Sequence, residues 1–325
     1  MLSMSITTLD RLHRDIQELR GSLNLVILAH NYQPQWIKEL ADFTGDSLQL
    51  SRQAAGTSAD MVVFCGVRFM AETAKILSPG KTVILPSPDA GCSLADSITP
   101  EELLEWKIQY PEALVVSYVN TSAEVKAMTD VCCTSSNALE IIQRIPTDRE
   151  ILFLPDFFLG SYVKELTGRS NIHLWMGECH VHADISPEHL ATTISEHPQA
   201  SVFVHPECGC TTPSLYELRS HSDKVEFLST TQMIERASRI ESGDVLVATE
   251  IGLLPDLKLA NPRINFLPVN PRARCPYMNL TTPGQLLEAI RTRSEAIELD
   301  PETIKRASAA VRRMIEPDSV DWEQL

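Results

Sequence analysis

Hydrophobic residues in this chain fall in short unbroken runs, and several runs stop abruptly at reactive polar side chains. Leu25-Val26-Ile27-Leu28-Ala29 leads into His30-Asn31-Tyr32-Gln33, and Ala113-Leu114-Val115-Val116 leads into Ser117-Tyr118-Val119-Asn120. Ala200-Ser201-Val202-Phe203-Val204 leads in the same way into His205-Pro206-Glu207. Aliphatic runs without alternation predict strands buried on both faces, as in parallel sheets covered by helices. The runs recur at nearly constant spacing, 88 residues from Ala29 to Ser117 and 87 from Ser117 to Val204. That spacing reads as one α/β unit used three times. Ligands of open parallel sheets collect at the carboxyl ends of the strands, so the three endings are expected to share one site.

The remaining pattern fills in each unit. In the first, residues 34–55 read as a helix, 60–66 as a strand, 69–77 as a helix stopped by Pro79-Gly80, and 82–86 as a strand running into a loop at 89–96. The alternation of strand and helix predicts a parallel sheet with crossover helices. Gly80-Lys81-Thr82 has the tail of a phosphate-binding loop, but Lys75 stands where the earlier glycine is needed and a strand follows instead of a helix. In the second unit, Thr99-Pro100-Glu101-Glu102 signals a capped helix start. A helix at 123–128 and strands at 131–133, 151–156 and 172–176 follow it. The third unit reads as a helix at 187–197, the run ending at Glu207, a longer insertion at 208–224, a strand at 225–228, a helix at 233–239, and strands at 244–249 and 264–269. Helical sequence fills most of 283–316. The expected architecture is α/β: three similar αβα units with parallel sheets about a pseudo-threefold axis and the site at the centre. The units span 1–93, 94–182 and 183–276, with the C-terminal helices of 277–325 packing on the first.

Composition narrows the chemistry. With 325 residues, 43% hydrophobic and 22% charged, the chain is ordinary for a globular protein of more than one domain. A net charge of −15 argues against a nucleic-acid surface. No apolar run approaches the ~20 residues a membrane helix needs. Residues 1–21 lack a basic stretch followed by an apolar one, so no signal peptide is expected and the location expected is cytoplasmic. Leu9, Leu12, Ile16 and Leu19 fit an amphipathic helix there.

Eight cysteines without any Cys-x-x-Cys do not make a disulfide scaffold. Cys65, Cys132 and Cys133 sit in or beside apolar runs and read as small buried residues. Cys92, Cys179 and Cys275 differ, because each lies in the loop after the last strand of its unit. They follow His30, Tyr118 and His205 by 62, 61 and 70 residues. Units arranged about a common axis would bring these thiols together. Three thiolates suit an iron–sulfur cluster or zinc. A [4Fe–4S] cluster normally takes four ligands, so three would leave one iron open as a Lewis acid. Zinc is the alternative, with His180, His182, Cys208 and Cys210 as spare ligands.

Seven blocks in order carry a family resemblance: His30-Asn31-Tyr32, the stretch 69–96 with Ala90-Gly91-Cys92-Ser93-Leu94-Ala95-Asp96, Tyr118-Val119-Asn120, Thr134-Ser135-Ser136-Asn137, Gly177-Glu178-Cys179-His180-Val181-His182, His205-Pro206-Glu207-Cys208 and Cys275-Pro276-Tyr277-Met278-Asn279. Together they resemble the quinolinate synthase family, the A protein of NAD biosynthesis, from about residue 25 to 290. One departure is the 208–224 segment, longer than in many members and bearing Cys210. The resemblance implies condensation of iminoaspartate with dihydroxyacetone phosphate to quinolinate, phosphate and water. It also implies a [4Fe–4S] cluster on Cys92, Cys179 and Cys275, and an L-aspartate oxidase or dehydrogenase as the source of iminoaspartate. Glu207 is then the expected general acid/base, with Tyr32, Tyr118 and His205 relaying protons. His30, Ser47, Asn120, Ser135, His182 and Thr230 are expected to bind substrate alongside Tyr118, His205 and Glu207. Two other readings compete: a different iron–sulfur hydro-lyase, and an iron–sulfur sensor without turnover.

Overall fold

A computed structural model describes residues 6–211 and 224–325. Its strands form three four-stranded sheets, all parallel. The first holds β1 (Leu25–His30), β2 (Phe43–Gly45), β3 (Met61–Cys65) and β4 (Thr82–Ile84). The second holds β5 (Leu114–Tyr118), β6 (Val131–Cys133), β7 (Ile151–Leu154) and β8 (Ile172–Leu174). The third holds β9 (Ser201–Val204), β10 (Val225–Phe227), β11 (Asp244–Ala248) and β12 (Asn265–Pro268). Every sheet has its strands in the order second, first, third, fourth. The chain therefore leaves the first strand toward one edge and returns to build on its other side. That reversal opens a crevice beyond the carboxyl ends of the first and third strands.

Alternate residues of the first and third strands of each sheet enter different cores, which explains the unbroken aliphatic runs. Val26, Leu28, Val62 and Phe64 of the first sheet face the same central core as Leu114, Val116, Ile151 and Phe153 of the second and Phe203, Val245 and Val247 of the third. The opposite faces pack against separate helices. Ile27, Ala29 and Val63 meet Leu12 and Ile16 of the helix Ile6–Leu23 and Leu286 and Ile290 of the helix Pro283–Thr292. Val202, Val204 and Leu246 meet Leu190 of the helix Pro187–Glu196, and Val115, Leu152 and Leu154 meet Leu103 of the helix Pro100–Gln109. One face of every sheet thus builds a shared core, so the repeats are joined by apolar burial rather than strung on linkers.

The C-terminal helix Pro301–Ile315 adds Ala307, Ala310, Val311, Met314 and Ile315 to that core. Its end is held from two units: Arg52 donates to the carbonyl of Ile315, and Asn137 Nδ2 to that of Met314 at 3.0 Å.

The helix expected over 34–55 is two helices, Gln35–Lys38 and Ser47–Gly56, with β2 between them. Gly45 and the capping Asp46 interrupt the helix, and Phe43-Thr44-Gly45 pairs with Leu28-Ala29-His30. A strand of this length has no periodicity to read. The expected helical stretch after Pro283 is likewise two helices, Pro283–Thr292 and Pro301–Ile315. Most of the 208–224 insertion, residues 212–223, lies outside the described residues.

Candidate active site

The carboxyl ends of the three sheets open on one cavity, the place where ligands of parallel sheets collect. It is bordered by His30 and Tyr32 past β1, Tyr118 and Asn120 past β5, and His205 and Glu207 past β9. Ser47, Ser135, Thr230, His182, Cys92, Cys179 and Cys275 also border it, so all thirteen residues proposed from the sequence meet there. Among the described residues no lysine or arginine borders it.

Its centre is a dense polar network on buried side chains. The Tyr118 phenol donates to Glu207 Oε1. Glu207 Oε2 lies 3.4 Å from His182 Nδ1, and Oε1 lies 3.8 Å from His205 Nδ1. The two imidazoles stack with centroids 4.9 Å apart. Tyr32 Oη is 3.2 Å from His182 Nε2 and 2.6 Å from Thr249 Oγ1. Close approach of the third unit depends on Gly252, where a Cβ would meet Glu250 Oε2 at 2.5 Å and the Tyr32 carbonyl oxygen at 2.8 Å.

Burial sets the proton affinities. Loss of hydration pushes Glu207 up to about 7, against the opposing hydrogen bond from Tyr118. Burial lowers His30 to about 4 and His182 to about 3, and holds His205 well below its usual value, so all three are neutral at pH 7. Burial and the nearby Glu207 push both tyrosines well above 10. A carboxyl poised at neutrality beside neutral imidazoles and phenols can take up and release protons at working pH. Two buried atoms of residues bordering the cavity, Asn120 Oδ1 and His205 Nδ1, have no hydrogen-bond partner among the described residues. Each is available to a ligand.

The cysteines divide sharply. Cys65, Cys132, Cys133, Cys208 and Cys210 are fully buried, whereas Cys92, Cys179 and Cys275 are partly exposed and border the cavity. Their loops are built alike. The residue after the third-strand turn donates its N–H to the carbonyl two residues before the cysteine: Arg68 to Ala90 at 2.7 Å, Phe157 to Gly177 at 2.8 Å, and Ile251 to Ala273 at 2.9 Å. Backbone N–H groups two and three residues on favour the thiolate at each sulfur, Leu94 and Ala95 at Cys92, Val181 and His182 at Cys179, Tyr277 and Met278 at Cys275. Gly177 is needed in one loop, because a Cβ would overlap Ser97 Oγ and the Pro155 carbonyl. Burial raises all three thiols, Cys92 to about 12. Paired N–H donors suit a sulfur that bears negative charge, as a metal-bound thiolate does.

The zinc set built from His180, His182, Cys208 and Cys210 is not gathered. Cys208 Sγ donates to the Ala248 carbonyl at 2.9 Å, and Cys210 is packed in the same satellite core. Among the described residues, the donor atoms close enough for a single ion belong to Cys179, His182 and Glu207, within 4.8 Å of one another.

The sequence profile described as Quinolinate synthetase A protein matches residues 14–316 of this chain. The chain belongs to that family. It is 52% identical over 305 residues to the quinolinate synthase of Mycobacterium sp. strain KMS, covering 93% of this chain and 90% of the relative. It is also 52% identical over 306 residues to the quinolinate synthases of Mycobacterium tuberculosis H37Rv and Mycobacterium leprae Br4923, covering 93% of this chain and 87% and 86% of theirs. Identity of this extent over nearly the whole length makes it an enzyme of the quinolinate synthase type.

Sequence reasoning passed over Glu250 and Asp46, which also border the site. Glu250 is fully buried past β11, pushed up to about 7 by burial, and accepts the N–H of Cys275 at 3.0 Å. The run 244–249 ends at a titratable group in the manner of the three first strands, so the signal was present. Asp156 holds the matching place past β7 but does not line the cavity; it is buried, and its Oδ2 has no partner among the described residues. Asp46 precedes Ser47 and reads locally as a helix cap.

Proposed function

We propose that this protein condenses iminoaspartate with dihydroxyacetone phosphate to form quinolinate, phosphate and water, using a [4Fe–4S] cluster held by Cys92, Cys179 and Cys275. The observation that carries the reading is the selection among eight cysteines. The three cysteines that are not fully buried come one from each unit and border the cavity that holds Glu207. The residues fit a cluster better than a single ion, since sulfurs bound to one zinc lie only about 3.8 Å apart at Zn–S distances of ~2.3 Å. The compact set that could hold one ion contains only one of the three thiols. When bound, a cluster with three protein ligands supplies a Lewis acid at its open iron.

The chain's own side chains account for binding and proton transfer. Elimination of phosphate, carbon–carbon bond formation, ketose–aldose isomerisation, ring closure and dehydration each move protons. Glu207, pushed to about 7, takes a proton from carbon or nitrogen and returns it to a departing oxygen. Tyr118, hydrogen-bonded to Glu207, passes its proton along the same line. Tyr32 and His182 form a second chain through Thr249. The Asn120 carbonyl oxygen accepts from a substrate N–H or O–H, and His205 supplies its unpartnered Nδ1. The phosphate and carboxylates are bound by neutral donors on the cavity wall: His30, Ser47, Ser135 and Thr230.

The test is anaerobic reconstitution followed by product analysis. About four irons and four sulfides per chain, with quinolinate formed from the two substrates, are expected. Zinc without sulfide, or hydration of a hydroxy acid in place of quinolinate, overturns the reading. A bound cluster without turnover supports the sensor instead.

A further inference from the structure

On the same cavity, three hydroxyl-bearing residues start or precede helices that follow the second strand of each sheet. Ser47 begins the helix Ser47–Gly56, Ser135 lies before the helix Ala138–Arg144, and Thr230 begins the helix Thr230–Ala237. Their neighbours meet at one carboxylate. Asp46 is 6% exposed, and its Oδ1 accepts the N–H of Gln49 at 3.0 Å, capping its own helix. Its Oδ2 accepts the hydroxyl of Ser136 at 2.6 Å and that of Ser229 at 3.4 Å. A single side chain thus takes one donor from each of the three units. Ser47 follows Asp46, Ser135 precedes Ser136, and Thr230 follows Ser229. Each contact therefore fixes the residue next to a hydroxyl on the cavity wall.

The arrangement needs an acceptor-only group. Ser229 Oγ already accepts the Gln232 N–H at 3.4 Å, so its proton is directed outward, toward Asp46. An amide at position 46 keeps the helix cap through its oxygen but turns an N–H₂ toward two hydroxyl donors. Ser136 and Ser229 would both have to turn their protons away and accept instead, so each loses the donor contact that now ties its unit to position 46. Asp46 borders the cavity, yet both its oxygens are engaged inside the protein, so it offers a ligand no donor.

We propose that Asp46 is the positioning residue that holds the Ser47, Ser135 and Thr230 hydroxyls as one anion-binding group assembled from all three units. The inference rests on reading those hydroxyls as the subsite for substrate phosphate and carboxylate. An anion bound without lysine or arginine depends on the placement of several neutral donors at once, and a displacement of about 1 Å is costly. Removing Asp46 should weaken binding without removing any group that touches the ligand.

The experiment uses the full-length, cluster-loaded protein and quinolinate as the probe, with binding measured by calorimetry. Asp46→Asn and the double variant Ser136→Ala/Ser229→Ala should each weaken quinolinate by about 10-fold or more, the loss of one charge-assisted hydrogen bond. Iron content should match wild type, and KM for dihydroxyacetone phosphate should rise more than kcat falls. The double variant keeps the Asp46 cap, so it serves if Asp46→Asn does not fold. Variants that bind quinolinate as tightly as wild type, with only a lower melting temperature, overturn the inference and leave the subsite reading intact. Wild-type protein that neither binds nor makes quinolinate overturns the reading itself.

Discussion

The cavity has two walls made by the same repetition from different places in the repeat. The thiol wall comes from the loops after the fourth strands, where each unit contributes the same residue type and the same pair of N–H donors. The hydroxyl wall comes from the helix starts after the second strands, where the units contribute Ser47, Ser135 and Thr230. Between them, the ends of the first strands carry unlike groups: His30 and Tyr32, Tyr118 and Asn120, His205 and Glu207. Under the proposed function, repetition serves ligation and anion binding, which need several equivalent donors. Proton transfer needs groups of different affinity side by side, and there the repeats have diverged.

Breaking the thiol wall should have the largest effect. Cys92→Ala, Cys179→Ala or Cys275→Ala should each abolish the cluster chromophore, while Cys65→Ala and Cys132→Ala should leave iron content unchanged. Full chromophore in Cys179→Ala would remove the case for a cluster there. Between the walls, Glu207→Gln keeps size and hydrogen bonding but cannot exchange a proton, so turnover should drop by about 10²–10⁴-fold with the cluster intact. Near wild-type turnover would transfer the role to Tyr32 or His205. On the hydroxyl wall, Thr230→Ala removes one donor and its 2.9 Å bond from Asn31 Nδ2. Quinolinate affinity should fall about 10-fold, again with the cluster intact.

A smaller effect should appear with pH. Burial lowers His30 to about 4 in the fold, against an unfolded value of 6.5. The unfolded chain therefore binds a proton between those values that the folded chain excludes, and stability falls as pH drops through that window. Thermal midpoints at about pH 7.5 and about pH 5 should diverge less in His30→Asn than in wild type. Equal divergence would mean the histidine is not buried neutral. As a remote reference, Thr99→Ala removes the capping box of the helix Pro100–Gln109. It should cost about 1 kcal/mol in chemical denaturation.

The repeated strands were legible because burial on both faces leaves no alternation to mistake for anything else. The three cavity cysteines were legible through their equal places in the repeats. β2 was not, since a three-residue strand after a helical turn carries no period of its own. The helix Phe157–Thr167 was passed over although Asp156 caps it and Gly168, at φ +64°, ends it. Asp46 was not legible, because it fell inside the single helix expected over 34–55 and its second oxygen serves partners 90 and 183 residues away.

By itself, the sequence determined the parallel sheets, the threefold repetition and the identity of the groups at each strand end. Those follow from local hydrophobicity and spacing, which short-range physics fixes. Only the tertiary structure decided that one face of every sheet joins a single core, and that this turns the strand ends toward one cavity. Burial there neutralises the histidines and raises Glu207, effects that depend on how much water the assembled units exclude. A carboxylate that gathers one donor from each unit exists only once all three have docked.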